Sequence, residues 1–270
     1  MILKDHALIL RVYPYSETSL ILTCLAARHG RMQVLAKGAR RPKNPFLGNL
    51  DFLHHGEMIV STRARSGLDI LREFDLTDDF AALRRPVERF LASAFVAEAA
   101  LNFSVEGAGG ERVFAHVIGA LRAMAGDGDL RSVLLVFSMG FLDLHGFSPR
   151  LDACTGCQKP DTVEFFSHRL GGVLCRACRG RDPASTPLGR ESHDLMESFR
   201  LREPETGNWK LETGNRELET GNRKPETGNR RDGAYVHAWS ALSGMMAAIT
   251  GRDWATREEV GRIFKPSARR

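Results

Sequence analysis

Along the first 76 residues, apolar and polar positions alternate over short runs separated by turn residues, the pattern of a small all-β unit. Five strands are expected, at 6–12, 18–26, 31–37, 57–63 and 68–76, with tight turns at His29-Gly30 and Ser66-Gly67. The third run sets Met32, Val34 and Ala36 against Arg31, Gln33 and Lys37, so one face can be buried while the other meets solvent or a ligand. A five-stranded, partly open barrel of the oligonucleotide-binding (OB) type fits this count. After Thr77-Asp-Asp79, residues able to cap a helix, the period shifts from two toward 3.6. Pro86 suits a first helical turn, which places a helix carrying Phe90, Leu91, Ala94, Phe95 and Ala97 just beyond it. Further helices are expected at 111–125, 130–145, 188–201, 234–249 and 256–264, the one at 130–145 apolar on most of its surface and ended by Gly146.

Two stretches break this pattern. Residues 150–181 turn to cysteine, glycine and polar residues, a loop-rich module set between helices. Residues 205–231 repeat Glu-Thr-Gly-Asn with period seven, at 205, 212, 219 and 226. Each unit holds a Gly-Asn pair and at most one Leu, which excludes a coiled coil and predicts a disordered insertion. The expected organisation is α+β and multidomain. It comprises an OB barrel at 1–77, a helical domain at 78–149 resuming at 182–204 and 232–270, a zinc module at 150–181, and the repeat insertion at 205–231.

Composition adds little until the charges are located. A hydrophobic content of 43% permits an ordinary core, and no uninterrupted apolar run reaches the ~18 residues of a membrane span. Met1-Ile-Leu-Lys-Asp-His6 lacks the order of a secretory signal, so a cytoplasmic location is expected. The formal net charge is +5, but the distribution says more: between Ala26 and Leu50 no acid occurs, while Arg28, Arg31, Lys37, Arg40, Arg41 and Lys43 supply six positive charges. Lys37-Gly-Ala-Arg-Arg-Pro-Lys43 would project from a barrel rim, and Tyr13, Tyr15 and Phe46 are nearby candidates for base stacking.

Of five cysteines, Cys24 lies in the apolar run Leu20-Ile-Leu-Thr-Cys-Leu25 and is expected to be a small buried residue. The others form Cys154-x2-Cys157, seventeen residues, then Cys175-x2-Cys178, the spacing of a four-thiolate zinc site. Four thiolates fill a tetrahedral sphere and leave no position for water, so the metal is expected to be structural. A pair of redox dithiols is the rival, but it would need a thioredoxin-like βαβ setting. His168 lies between the pairs without being required. His55-Gly-Glu57 matches the His-x-Glu element of zinc deaminases, yet neither cysteine pair follows a proline as that signature demands. Phosphate-loop, His-Glu-x2-His and Gly-x-Ser-x-Gly signatures are missing.

The chain resembles the bacterial RecO family of recombination and repair proteins. The resemblance rests on Tyr15-Ser-Glu-Thr-Ser-Leu-Ile21, His29-Gly-Arg31, Lys37-Gly-Ala-Arg-Arg-Pro-Lys43, Gly67-Leu-Asp-Ile-Leu-Arg-Glu73 and Phe141-Leu-Asp-Leu-His-Gly-Phe-Ser-Pro149. It covers nearly everything except residues 205–231. It implies an OB domain, a helical domain and a zinc module, with a non-enzymatic, nucleoid-associated activity. That activity is binding single- and double-stranded DNA, annealing complementary strands and, with RecR, loading RecA onto strands coated by single-strand-binding protein, whose C-terminal tail is a further expected partner. The DNA surface is then expected at Arg31, Lys37, Arg40, Arg41 and Lys43, and the zinc at Cys154, Cys157, Cys175 and Cys178. A zinc-containing enzyme acting on nucleic acid and a pure assembly module are the competing functional classes.

Overall fold

The computed structural model describes residues 1–44, 46, 48–62, 67–161, 163–200 and 229–265. By their internal contacts these form two compact units, 1–125 and 126–270. The expected boundary at residue 77 separates strands from helices; the contact boundary instead leaves two helices with the barrel.

In the first unit, β1 (Ile2–Pro14), β2 (Leu20–Ala26), β3 (Gly30–Ala36), β4 (His55–Ser61) and β5 (Asp69–Asp78) close a barrel in the order β1-β2-β3-β5-β4. All pairs are antiparallel except β3 with β5, where Val34 faces Asp69 and Leu35 faces Ile70. Closure depends on β1, whose thirteen residues pair with β4 in their first half and with β2 in their second. A register shift between Ile9 and Arg11 lets the strand bend from one partner to the other. This is why the barrel closes where the sequence pattern suggests a partly open one.

The barrel core gathers Leu3, Ala7, Ile9, Leu22, Cys24, Val34, Met58, Val60, Leu71 and Phe74. Cys24 is buried as expected, and burial pushes its thiol up to about 12, which leaves it unreactive. The expected fourth strand stops at Ser61; Arg63 and Ser66 lie outside the described residues.

Asp78 and Asp79 accept from the backbone N–H groups of Phe80 and Ala81 (both 2.9 Å), starting a single 3-10 turn at Ala81–Arg84. Helices α1 (Val87–Phe103) and α2 (Glu111–Ala125) follow, α1 beginning directly after Pro86. Their connection crosses the β2–β3 turn: the Arg31 N–H donates to the Val105 carbonyl (3.2 Å), and Gly30 bridges Glu106. At φ 67° Gly30 turns the chain, and a Cβ there would stand 2.4 Å from the Ala108 carbonyl oxygen. A Cβ on Gly109 would meet the Arg28 carbonyl oxygen at 1.9 Å. The turn and the helical connection are therefore built against each other.

The second unit begins with α3 (Leu130–Leu144), capped by Asp129, whose carboxylate accepts the Ser132 N–H at 3.1 Å, and ended near Gly146 at φ 78°. Nine of its residues are buried, as its apolar surface predicts. Three short strands, β6 (Phe165–Ser167), β7 (Gly172–Leu174) and β8 (Thr186–Pro187), form a sheet in the order β7-β6-β8 within the cysteine-rich module. Helices α4 (Arg190–Arg200), α5 (Asn229–Thr250) and α6 (Arg257–Phe264) complete the unit; α5 packs on α3, α4 and α6. Most of the repeat lies outside the described residues, and α5 begins inside its last unit, at Asn229. Residues 266–270 also lie outside them. Among the described residues no helix is long and apolar enough to cross a membrane.

Candidate nucleic-acid interface and metal centre

The acid-free segment after β2 carries six cations, and the structure divides them. Arg28 is drawn to the buried carboxylate of Asp5, which accepts its backbone N–H (3.0 Å) and lies 3.5 Å from its guanidinium; His29 Nδ1 lies 2.6 Å from the same carboxylate. Arg31 is half-buried, and its guanidinium donates to the Leu101 carbonyl (3.3 Å) in the last turn of α1, where a cation also complements the helix dipole. Lys37, Arg40, Arg41 and Lys43 are exposed. Of the five cations expected at a DNA surface, the structure therefore gathers four in one loop and turns Arg31 toward α1.

That loop is fastened to the β1–β2 loop. The Arg40 N–H donates to the Thr18 carbonyl (2.9 Å), its guanidinium to the Ser16 carbonyl (3.2 Å), and the Gly38 N–H to Ser19 Oγ (3.3 Å). Arg41 N–H closes a turn onto the Gly38 carbonyl (2.9 Å). Asn44 then accepts the Phe46 N–H (2.7 Å) and directs the Phe46 ring inward, where it is 4% exposed in the barrel core. Phe46 is thus unavailable for stacking. Tyr13 and Tyr15, 46% and 60% exposed, remain on the β1 side of the same rim. Arg11 is also exposed and donates to the Tyr13 hydroxyl (3.3 Å). Its signal is the two-residue spacing from Tyr13, which lies past the expected end of the first strand at residue 12 but within β1. One acid, the exposed Glu17, stands in the β1–β2 loop between the Ser16 and Thr18 carbonyls that hold Arg40. Others sit around Lys4 on β4 and β5, where a hydrogen bond from Lys4 to Glu57, with Asp75 and Glu73 also near, holds the ammonium above its usual range.

In the second unit the sulfurs of Cys154, Cys157, Cys175 and Cys178 all lie within 4.8 Å of one another. The first pair sits on a knuckle closed by Gln158 N–H to the Cys154 carbonyl (2.8 Å); the second opens the 3-10 turn Arg176–Arg181. A Cβ on Gly156 would stand 2.8 Å from the Cys178 sulfur, so the first knuckle approaches the second only with glycine there. Cys157 and Cys175 are 3.8 Å apart, and the edge of a sulfur tetrahedron around zinc is about 3.8 Å.

Burial alone would push the Cys154 thiol up, but backbone N–H groups of Cys175, Cys157 and Gly156 reverse this and bring it down to about 6. Burial and hydrogen bonds with the other thiols push Cys178 up to about 12. Four thiolates repel one another unless a cation joins them, so this donor set fits a divalent metal. His168 is not among the clustered donors; its ring lies against α5, where a Cβ on Gly244 would stand 2.6 Å from Nε2. His55 and Glu57 are not among them either: His55 is buried in β4 against the Phe114 ring, and Glu57 pairs with Lys4.

Residues 1–80 match the family Recombination protein O N terminal, and residues 84–219 match Recombination protein O C terminal. The chain belongs to the recombination protein O family. Among similar proteins, the DNA repair protein RecO of Rhodopirellula baltica is 35% identical over 206 residues, 74% of this chain and 75% of that protein. The protein of the same name from Desulforudis audaxviator is 33% identical over 187 residues, 68% and 73% of the two chains. That of Bacillus subtilis is 26% identical over 200 residues, 74% and 77%. In this RecO-family chain two of the motifs carrying the resemblance, Tyr15–Ile21 and Lys37–Lys43, are joined in space at the rim, where the Ser16 and Thr18 carbonyls hold Arg40.

Proposed function

We propose that this RecO-family chain is a recombination mediator in DNA repair that binds DNA through Lys37, Arg40, Arg41 and Lys43. It anneals complementary strands and, with RecR, helps load RecA onto strands coated by single-strand-binding protein, whose C-terminal tail it also engages. It works without a catalytic step, in the cytoplasm at the nucleoid. The observation carrying this reading is the acid-free loop pinned to the rim by the Thr18, Ser16 and Ser19 contacts, beside two exposed tyrosines. Fixed cations neutralise phosphates and release counterions, while exposed rings stack on bases without reading sequence. Annealing needs both: screened repulsion between strands, and bases held loosely enough to pair. The names of the similar proteins, DNA repair protein RecO, support the same role.

The cysteine quartet holds one structural zinc in this reading, with Cys154, Cys157, Cys175 and Cys178 as ligands. When bound, the ion cross-links the two knuckles and supplies no open coordination position for a reaction.

Replacing Arg40 and Arg41 together with alanine tests the assignment. Single-strand affinity should fall at every sequence, and the slope of log K against log salt should shrink by about 1.4. Unchanged affinity and slope would remove the loop from the interface. Strand annealing, measured with bare and protein-coated strands, tests the mediator role itself.

A further inference from the structure

The cysteine module carries a second cationic surface that the barrel does not use. From Phe165 to Arg181 the chain has four arginines, Arg169, Arg176, Arg179 and Arg181, and no acid. All four are exposed. Arg176 is partly answered by Glu164, which accepts its backbone N–H and lies 3.8 Å from its guanidinium. Arg169, Arg179 and Arg181 have no carboxylate within ion-pair distance among the described residues. Asp182, next in the chain, is buried and committed inward to Ser167 Oγ (2.5 Å) and the Ala184 N–H (3.2 Å).

Two of these side chains, Arg169 and Arg179, are also held in place. The Arg169 guanidinium donates to the Arg181 carbonyl (2.5 Å), joining the β6–β7 turn to the end of the 3-10 turn. Arg179 lies 4.7 Å over the Phe165 ring, a stacking that fixes its plane and leaves its in-plane donors available. The Arg181 side chain runs over the first knuckle, its Cδ 3.1 Å from where a Cβ on Gly156 would be. Uncompensated like charges fixed in one small module repel one another, and a polyanion relieves that repulsion.

Resting on the DNA-binding reading above, we propose that Arg169, Arg179 and Arg181 form a second, sequence-independent surface for the nucleic-acid phosphate backbone, so that one molecule holds two strands. Phe166, Val173 and Leu174 are buried and Phe165 is covered by Arg179, which leaves Leu170, 38% exposed beside Arg169, as the large apolar side chain of the run that meets solvent. An acidic peptide would therefore find charge but a single apolar contact, whereas a phosphate backbone needs none and presents charge at regular intervals. With no exposed ring for stacking, this surface takes single strands and duplex alike, in contrast to the tyrosine-bearing rim.

The test uses the full chain carrying R169Q, R179Q and R181Q together, in parallel with the Arg40 and Arg41 double alanine variant. Zinc content and thermal melting are measured first. With both retained, the salt slope should shrink by about 2 on single strands and about 3 on duplex, and bridging of two differently labelled strands should be lost. Unchanged slopes and bridging overturn the inference, as does loss of binding to a poly-glutamate peptide with DNA binding intact. Should the triple variant lose its zinc, R169Q alone keeps the test, with a slope change of about 0.7 expected on single strands and no change overturning it. If the barrel variant alone abolishes all salt-dependent binding, the second surface falls while the proposed function stands. If only the arginines of the cysteine module matter, the barrel assignment falls and this inference stands.

Discussion

The basic loop at 37–43 and the cysteine module are both loop-built and both rich in arginine or lysine, yet they are held in opposite ways. The loop borrows its shape from the barrel: Thr18, Ser16 and Ser19 fasten it, and Phe46 anchors its far end in the barrel core. Its four cations contribute nothing to that core and face solvent. In the module the chemistry is itself the core, since Cys154, Cys175 and Cys178 pack with Leu174 and Phe165 in a cluster too small to fold on hydrophobic burial alone. Removing the loop's charge should thus cost the Arg40–Ser16 fastening and leave the barrel core intact, whereas removing the cysteines should cost the module its structure.

Ligand replacement tests that contrast most sharply. Cys154→Ser or Cys175→Ser should release the metal and unfold the module, because apparent zinc binding free energies of about 10–16 kcal/mol are coupled to folding in such sites. Elemental analysis should fall from about one zinc per chain, and limited proteolysis should open the chain near residues 150–190, with the barrel protected. A metal-free module that stays protease-resistant would break the comparison. Next in size, Phe46→Ala should destabilise the barrel by about 3–5 kcal/mol in denaturant unfolding, because a large buried ring is lost. Full stability would mean that the loop is not anchored through the core.

Tyr15→Ala should leave stability unchanged and weaken single-strand binding by about 1–3 kcal/mol with the salt slope preserved, since stacking releases no counterions. A changed slope would instead make the rim purely electrostatic. The smallest effect concerns pH. Burial, with Arg122 and His6 nearby, pushes His55 down to about 4. Between the ordinary value of about 6.5 and about 4 the unfolded chain takes up a proton that the folded barrel refuses, so barrel stability falls as pH drops through that window. His55→Gln should flatten this part of the curve of melting temperature against pH; an unaltered curve would assign the acid sensitivity elsewhere.

Much of this architecture was legible. Strand and helix periods located all five barrel strands and the six longer helices to within a few residues, apart from the start of α5, because an amphipathic pattern is written in neighbours two to four positions apart. The cysteine spacing likewise announced a cluster that the fold brings together. Less legible was the little sheet of β6, β7 and β8, whose strands of two or three residues are too short to show a period. Phe46 shows another limit: its place next to the basic loop suggested stacking, and only the turn made by Asn44 sends it inward.

The charges mark the division most clearly. By itself the sequence determined that six cations stand together without an acid, and that four thiols can meet at one point. Which cations remain available was decided by partners far along the chain: Asp5 lies 23 residues from Arg28, and Leu101 lies 70 from Arg31. The same holds for the loop's position, set by Ser16, which lies 24 residues from Arg40. Periodicity and short spacing are local properties of the chain, whereas the neutralisation of a charge depends on whatever the closed barrel brings beside it.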